Sequence, residues 1–165
     1  FGPMHKHAEV AAVLGLPVAA LDENVPIHTV STGMRFTMVP FRSLAALRSL
    51  KVSWNQMSGY LARLPQPSFF YLVCRETENP AATLHARMIF YNGEDPATGS
   101  AAGCCVAWAV KHNILGSDEQ GIIEQGIEVK RPSFLYVRAS SHNGTIGNVR
   151  VGGHVVQVIE GRAHL

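Results

Sequence analysis

The run Ala101-Ala102-Gly103-Cys104-Cys105-Val106-Ala107-Trp108-Ala109-Val110 constrains this chain more than any other stretch, because it carries no charge and no polar face. A helix that is hydrophobic on every side has to be buried on every side. Ten residues make only about 15 Å of helix, whereas a bilayer core needs about 20 residues, so protein rather than lipid must cover it and no membrane association is expected. The small side chains of Ala101, Ala102, Gly103, Cys104 and Ala107 allow a sheet to approach closely from several directions. Strand-like runs lie on both sides of this helix, without the regular alternation of doubly wound folds. The expected fold class is α+β: a mixed, mainly antiparallel sheet curled around a buried central helix.

The surrounding pattern supplies the sheet. Ile27 to Val30 and Arg35 to Val39, separated by Ser31-Thr32-Gly33, predict adjacent strands joined by a turn, and Ser68 to Arg75 and Leu84 to Phe90 predict two more. Beyond Gly121, short strands are expected at Ile122–Glu124, Ile127–Lys130, Phe134–Ala139, Ile146–Val151 and Val155–Glu160, with hairpin signals at Asn143-Gly144 and Gly152-Gly153. Helical spacing from Met4 to Leu14 ends at Gly15, and Ser43 to Leu50 is a second helical segment. Ser53 with Gln56 fits a capping box opening a third, which Pro65 ends. No linker, repeat or low-complexity segment divides the chain, so residues 1–165 are expected to form a single domain.

Composition narrows the function classes. With 165 residues, 47% hydrophobic and 16% charged, the chain can bury a sizeable core and is not disordered. Fourteen basic against twelve acidic residues leave a formal charge of +2 and no basic run, which removes the electrostatic reason to expect nucleic acid. Cys74, Cys104 and Cys105 sit in apolar surroundings without C-x-x-C spacing, and no basic segment leads into an early hydrophobic stretch. Reduced thiols and a cytoplasmic location are expected. The first residue is Phe1, so the chain is expected to begin within a longer protein, or at Met4 with three added residues ahead of it.

Chemistry concentrates at Gly93-Glu94-Asp95-Pro96-Ala97-Thr98-Gly99-Ser100, which runs straight into the apolar helix. Pro96 pushes Asp95 towards extended geometry, so its carboxylate should project from the approach loop. Thr98, Gly99, Ser100 and Ala101 offer backbone N–H groups that the helix cannot satisfy, with a glycine permitting close approach. The natural guest is a carboxylate or a developing enolate oxygen. On residue types alone, a bland alternative stays open, in which Asp95, Thr98 or Ser100 merely caps the helix.

Other residues have quieter readings. Cys104 and Cys105 lie about one turn down the helix, where burial raises a thiol's pKa, and are expected to be inert. His5 and His7 lack further ligands at metal-binding spacing and are expected on the surface of the opening helix, so no metal is expected. His85 reads as structural. Glu124, Gln125 and Arg131 are read as a strand turn held by an exposed ion pair, with a polar network near the cleft or at a dimer contact as the alternative. Trp54, Tyr60, Phe69, Phe70 and Tyr71 read as packing residues.

The string from Gly93 to Gly103 resembles the signature of the PhzF-like isomerase family. Phe1-Gly2-Pro3, Val30-Ser31-Thr32-Gly33, His85-Ala86-Arg87-Met88, Ile123-Glu124-Gln125-Gly126, Arg131-Pro132-Ser133 and Val151-Gly152-Gly153 occur in the family's order and at about its spacing. The resemblance implies a cofactor-free enzyme of the diaminopimelate epimerase-like fold, with two similar lobes and the active site in the cleft between them. This chain resembles the C-terminal lobe. The implied activity moves a proton between carbons of a small carboxylate substrate. By position, Asp95 resembles the family's second-lobe active-site aspartate, and Gly99 and Ser100, flanked by Thr98 and Ala101, resemble its substrate-binding residues. The family's acid/base glutamate and its Gly-His pair belong to a first lobe that these 165 residues do not match. The chain alone is therefore expected to be inactive. Its expected partners are the substrate, an N-terminal lobe or second chain, and further copies of itself in a homo-oligomer such as a dimer. The alternative is a lobe that binds a small anion, or assembles with another chain, without catalysis.

Overall fold

The computed structural model describes residues 1–64, 66, 68–90 and 93–162, with Trp54 described in its backbone alone. The helix stop expected at Pro65 and the packing expected of the Trp54 side chain lie outside the described residues.

Among the described residues nine strands form one sheet: β1 (Met4–His5), β2 (Ile27–Ser31), β3 (Arg35–Phe41), β4 (Phe69–Cys74), β5 (Leu84–Phe90), β6 (Gly93–Asp95), β7 (Gly121–Gln125), β8 (Ser133–His142) and β9 (Thr145–Gly152). The order is β1-β2-β3-β4-β5-β7-β8-β9, with β6 paired beside β5. β3 with β4 and β5 with β7 are parallel, and the other pairings are antiparallel. The fold is thus mixed α+β with a mainly antiparallel sheet. Asn143 and Gly144, both at positive φ (49° and 77°), make the tight turn of the β8–β9 hairpin.

Helix α4, as numbered after α1 (His7–Leu14), α2 (Leu44–Ser49) and α3 (Trp54–Leu61), spans Gly99–Lys111. Its residues Ala101 to Val110 are all buried. It touches β2 and β3 near one end of the strand order and β8 and β9 at the other. Alternation along the strands sorts the two sheet faces. Phe36 and Met38 on β3, Tyr71 and Val73 on β4, and Leu84, Ala86 and Met88 on β5 join the α4 core. Their neighbours Val39, Phe41, Phe70, Leu72, Cys74 and Ile89 pack on the opposite face under Val10, Ala11 and Leu14 of α1, Leu47 of α2 and Met57 of α3. Strands covered on both faces explain the unbroken apolar run Phe69–Cys74.

The structure departs from the sequence reading at four places. Met4–His5 is a strand pairing with β2, and the first helix begins only at His7. Its stop is as expected, with Gly15 in the left-handed region at φ 68°. Ser53 precedes α3 without a side-chain cap bond, so the capping box does not form, whereas Ser43 caps α2 by accepting from the Ala46 N–H at 3.1 Å. Ile127–Lys130 is a turn, closed by Arg131 N–H donating to Gly126 O at 2.9 Å. Val155–Glu160 is not in the sheet: Gly152-Gly153 end β9 instead of turning a hairpin, and Val155, Val156, Val158 and Ile159 are 84–94% exposed.

Candidate functional site

The approach to α4 is tied down by its neighbours in the sheet. Buried Arg87 on β5 clamps Glu94 of β6 with two guanidinium nitrogens, one of them Nε at 3.1 Å from Oε2. Its Nη1 donates to Leu47 O at 2.8 Å. Glu94 is therefore spent on structure, and strand alternation sends Asp95 the other way. The Asp95 carboxylate is half-buried. Its Oδ2 accepts the Thr98 hydroxyl at 2.6 Å, and Oδ1 meets the Ala97 N–H at 3.5 Å.

Thr98 is the residue before the helix but gives it no side-chain cap. The first helical bond runs from Ala102 N–H to Thr98 O at 2.9 Å, so the N–H groups of Gly99, Ser100 and Ala101 precede the hydrogen-bonded ladder. Gly99 and Ser100 are exposed, whereas Ala101, expected to face a ligand with its main chain, is fully buried, main chain included. The helix dipole adds positive potential at this end. Gly99 and Ala97 form one wall of an open groove of about 510 Å³, whose other walls are Pro132 to Leu135 and Val151 to His154. Asp95 stands beside that lining, and Thr98 is buried behind it with its hydroxyl committed. The structure thus brings Asp95 and Thr98 into contact, opens Gly99 to the groove, and leaves the exposed Ser100 outside the groove lining, its carbonyl meeting the Thr32 hydroxyl at 3.4 Å.

The residue that holds this loop was read from sequence as part of an exposed ion pair, with a polar network as the alternative, and the structure shows the network. Gln125, at the end of β7, is fully buried; its Nε2 lies 2.6 Å from Asp95 O and 3.0 Å from Thr98 Oγ1, and its Oε1 accepts from the Tyr71 hydroxyl at 2.9 Å. Burial holds the Tyr71 phenol well above its ordinary pKa, so it remains a donor. The next residue, Gly126, turns the chain away at φ 85° directly over Pro96. The exposed ion pair expected here is corrected by this burial. Glu124 is also fully buried, with Oε1 2.7 Å from His85 Nδ1 and 2.6 Å from the Glu78 N–H, and Oε2 2.9 Å from the Asn79 N–H. His85 Nε2 lies 3.0 Å from Glu128 Oε1. Burial alone would lower the His85 pKa, but its bonds and charges with Glu128 and Glu124 prevail and raise it. The signal available in sequence was a polar pair at the end of the apolar run Ile122-Ile123.

The thiols do not reach the site. Desolvation pushes both Cys104 and Cys105 up, and Cys104 faces the Thr32 hydroxyl at 3.5 Å. His5 lies on β1, bonded to Tyr60 and Thr29 at 2.9 and 2.8 Å, not on the opening helix. Among the described residues no group of three or more His, Cys, Asp or Glu side chains could hold a metal ion, and no helix is long and apolar enough to cross a membrane.

Comparison with known proteins finds relatives along nearly the whole chain. The family described as phenazine biosynthesis-like protein matches residues 3–161. An uncharacterised isomerase of Mesorhizobium japonicum is 34% identical over 93% of this chain and 53% of its own length. The trans-2,3-dihydro-3-hydroxyanthranilate isomerase of Pseudomonas aeruginosa is 31% identical over 96% of this chain and 53% of its own. Among solved structures, a phenazine biosynthesis protein of the PhzF family from Bacillus anthracis superposes with a TM-score of 0.73 at 24% identity, over 92% of this chain and 56% of that one. A predicted epimerase from Pseudomonas aeruginosa gives a TM-score of 0.73 at 28% identity, over 93% and 51%. The chain spans about half the length of the curated relatives it matches.

Proposed function

The chain belongs to the phenazine biosynthesis-like protein family, and from that membership we propose that it is the C-terminal lobe of a cofactor-independent isomerase that moves a proton between carbons of a small carboxylate substrate. The observation that carries this reading is the uncapped start of α4, which opens at Gly99 onto a groove beside the half-buried Asp95 carboxylate. The N–H groups of the exposed Gly99 and Ser100 suit an anionic oxygen. Asp95 then meets the polar groups of the substrate, steadied by Thr98. The Pseudomonas relative's name supplies a substrate of this class, a hydroxylated dihydroanthranilate, whose isomerisation removes a proton from one carbon and delivers one to another.

Such a step needs an acid/base group close to the reacting carbon and screened from water. The open groove provides no screening, and the imidazole in its wall, His154, is exposed and paired with the Tyr136 hydroxyl at 3.1 Å, so the reading assigns the screening and the second proton-transfer group to a first lobe closing over the mouth of α4. The exposed side chains of Phe134 and Val151, both 40% accessible, and the valines beyond Gly153 are surface such a lobe would cover. Covering that surface with a second copy of the chain is the homo-oligomeric form of the same proposal.

Solvent-deuterium incorporation tests it. With trans-2,3-dihydro-3-hydroxyanthranilate in D2O, the chain alone is expected to show no carbon-bound deuterium above the uncatalysed rate. Mixed with a first-lobe polypeptide from a relative, it should catalyse incorporation, and Asp95→Asn should remove most of that rate. Exchange by the chain alone contradicts the division of labour between lobes. Carboxylate binding without exchange in the mixture favours a non-catalytic binding lobe instead.

A further inference from the structure

The hydrogen bonds behind Asp95 leave no freedom in where their protons lie. The Asp95 main-chain oxygen can only accept, so the Gln125 atom 2.6 Å from it is the amide nitrogen. That nitrogen's second proton is directed at Thr98 Oγ1, 3.0 Å away. Gln125 Oε1 then accepts, and the Tyr71 hydroxyl at 2.9 Å is its donor. Thr98 Oγ1 already receives a proton from Gln125, so its own single proton has one destination, Asp95 Oδ2 at 2.6 Å. Tyr71 and Gln125 are fully buried and Thr98 is 9% exposed, so water does not compete for these groups.

Oδ2 is therefore an acceptor whether or not Asp95 carries a proton. Oδ1 is in a different position: its contact with the protein is the long one to the Ala97 N–H, at 3.5 Å. We infer that Asp95 acts on its substrate through Oδ1 alone, and that Thr98, Gln125 and Tyr71 are positioning residues that enforce this choice. When Oδ1 takes a proton from a substrate N–H or O–H, that bond breaks with its electron pair left on the substrate atom. The carboxylate becomes a neutral acid, and the bond from Thr98 to Oδ2 persists. The return step reverses each change. This inference deepens the proposed function and rests on it for what lies opposite Oδ1, whereas the ordering of protons behind Oδ2 stands without any substrate.

Neutron diffraction from the deuterated chain near neutral pD tests the ordering. The expected result is the Thr98 deuteron directed at Oδ2 and both Gln125 amide deuterons directed at Asp95 O and Thr98 Oγ1. In Asp95→Asn the amide should place its oxygen towards Thr98 and its nitrogen on the Oδ1 side. A Thr98 deuteron pointing elsewhere, or an Asn nitrogen facing Thr98, overturns the inference. In solution, Thr98→Val should cost one of the two Gln125 side-chain protons about tenfold in exchange protection, the equivalent of one hydrogen bond, while Thr98→Ser retains both. If Thr98→Ser loses protection as Thr98→Val does, the hydroxyl is not the link. These readouts use no substrate, so their failure is distinct from failure of the exchange assay.

Discussion

Gly126→Ala is expected to unfold the chain at a temperature roughly 10 °C below the wild type and to abolish carboxylate binding at α4. A methyl group at this position would lie 2.4 Å from Arg131 O, 2.7 Å from Pro96 O and 2.8 Å from Pro96 Cα. All three are backbone atoms, so no side-chain rotation relieves the overlap. The residue also sits at φ 85°, where a side chain adds strain of its own. Overpacking and left-handed strain each cost about 1–3 kcal/mol, and a protein of this size loses about 2–4 °C per kcal/mol. Two of the three displaced atoms belong to Pro96, so the damage passes straight to Asp95 and Thr98. Gly99→Ala is the matched control: nothing lies within 4 Å of its added methyl, so the melting temperature should hold while binding weakens, because the methyl enters the groove. Thermal denaturation followed by circular dichroism checks both. A Gly126→Ala protein that melts like the wild type removes the claim that this crossing sets the loop.

Glu124→Gln should lower stability by about 3–5 kcal/mol near pH 6, by breaking a buried ion pair and leaving donors from Glu78, Asn79 and His85 competing for one oxygen. The loss should shrink as pH rises. His85 has its pKa raised in the fold, against the lowering effect of burial, by Glu128 and Glu124. A histidine of that kind contributes its full stabilisation below its unfolded value, about 6.5, and loses it as pH climbs through the folded value. His5, His28 and His112 are shifted down, chiefly by burial, and act in the opposite sense. They are common to both proteins and cancel in the difference. Urea unfolding of wild type and variant at about pH 6 and pH 9 measures it. A gap that is constant or widens with pH contradicts a charged His85 in this cluster.

What the sequence made legible was what one element decides by itself. The apolar run at Ala101 to Val110 could be read as a buried helix because no face of it tolerates water, and Asn143-Gly144 could be read as a hairpin because few residues accept positive φ. Segments whose state depends on a distant partner were misread. Met4 and His5 carry helical spacing, yet they pair with His28 and Ile27. Val155 to Glu160 is rich in β-branched residues but has no strand beside it among the described residues, and propensity without a partner does not make a sheet. Glu124 and Gln125 resemble a surface pair in one dimension. Only the parallel pairing of β7 with β5, which sets Glu124 opposite His85, shows them to be interior. In the candidate site, the place of Asp95 ahead of the helix and of Gly99 at its start was legible from the loop-to-helix pattern. The commitment of the Thr98 hydroxyl to Asp95 and Gln125 was not, because it depends on a residue 27 positions away in the chain.

The central claim is that the open start of α4 holds a small carboxylate next to Asp95, and titration of the 15N-labelled chain with benzoate measures this most directly. The predicted result is a saturable movement of the Gly99 and Ser100 amide resonances, with a Kd on the order of millimolar for an uncovered groove, and no comparable movement in residues 155–160. Benzoate that leaves the Gly99 and Ser100 amides unmoved at saturating concentration, or that shifts them no more than chloride does at equal ionic strength, would contradict it.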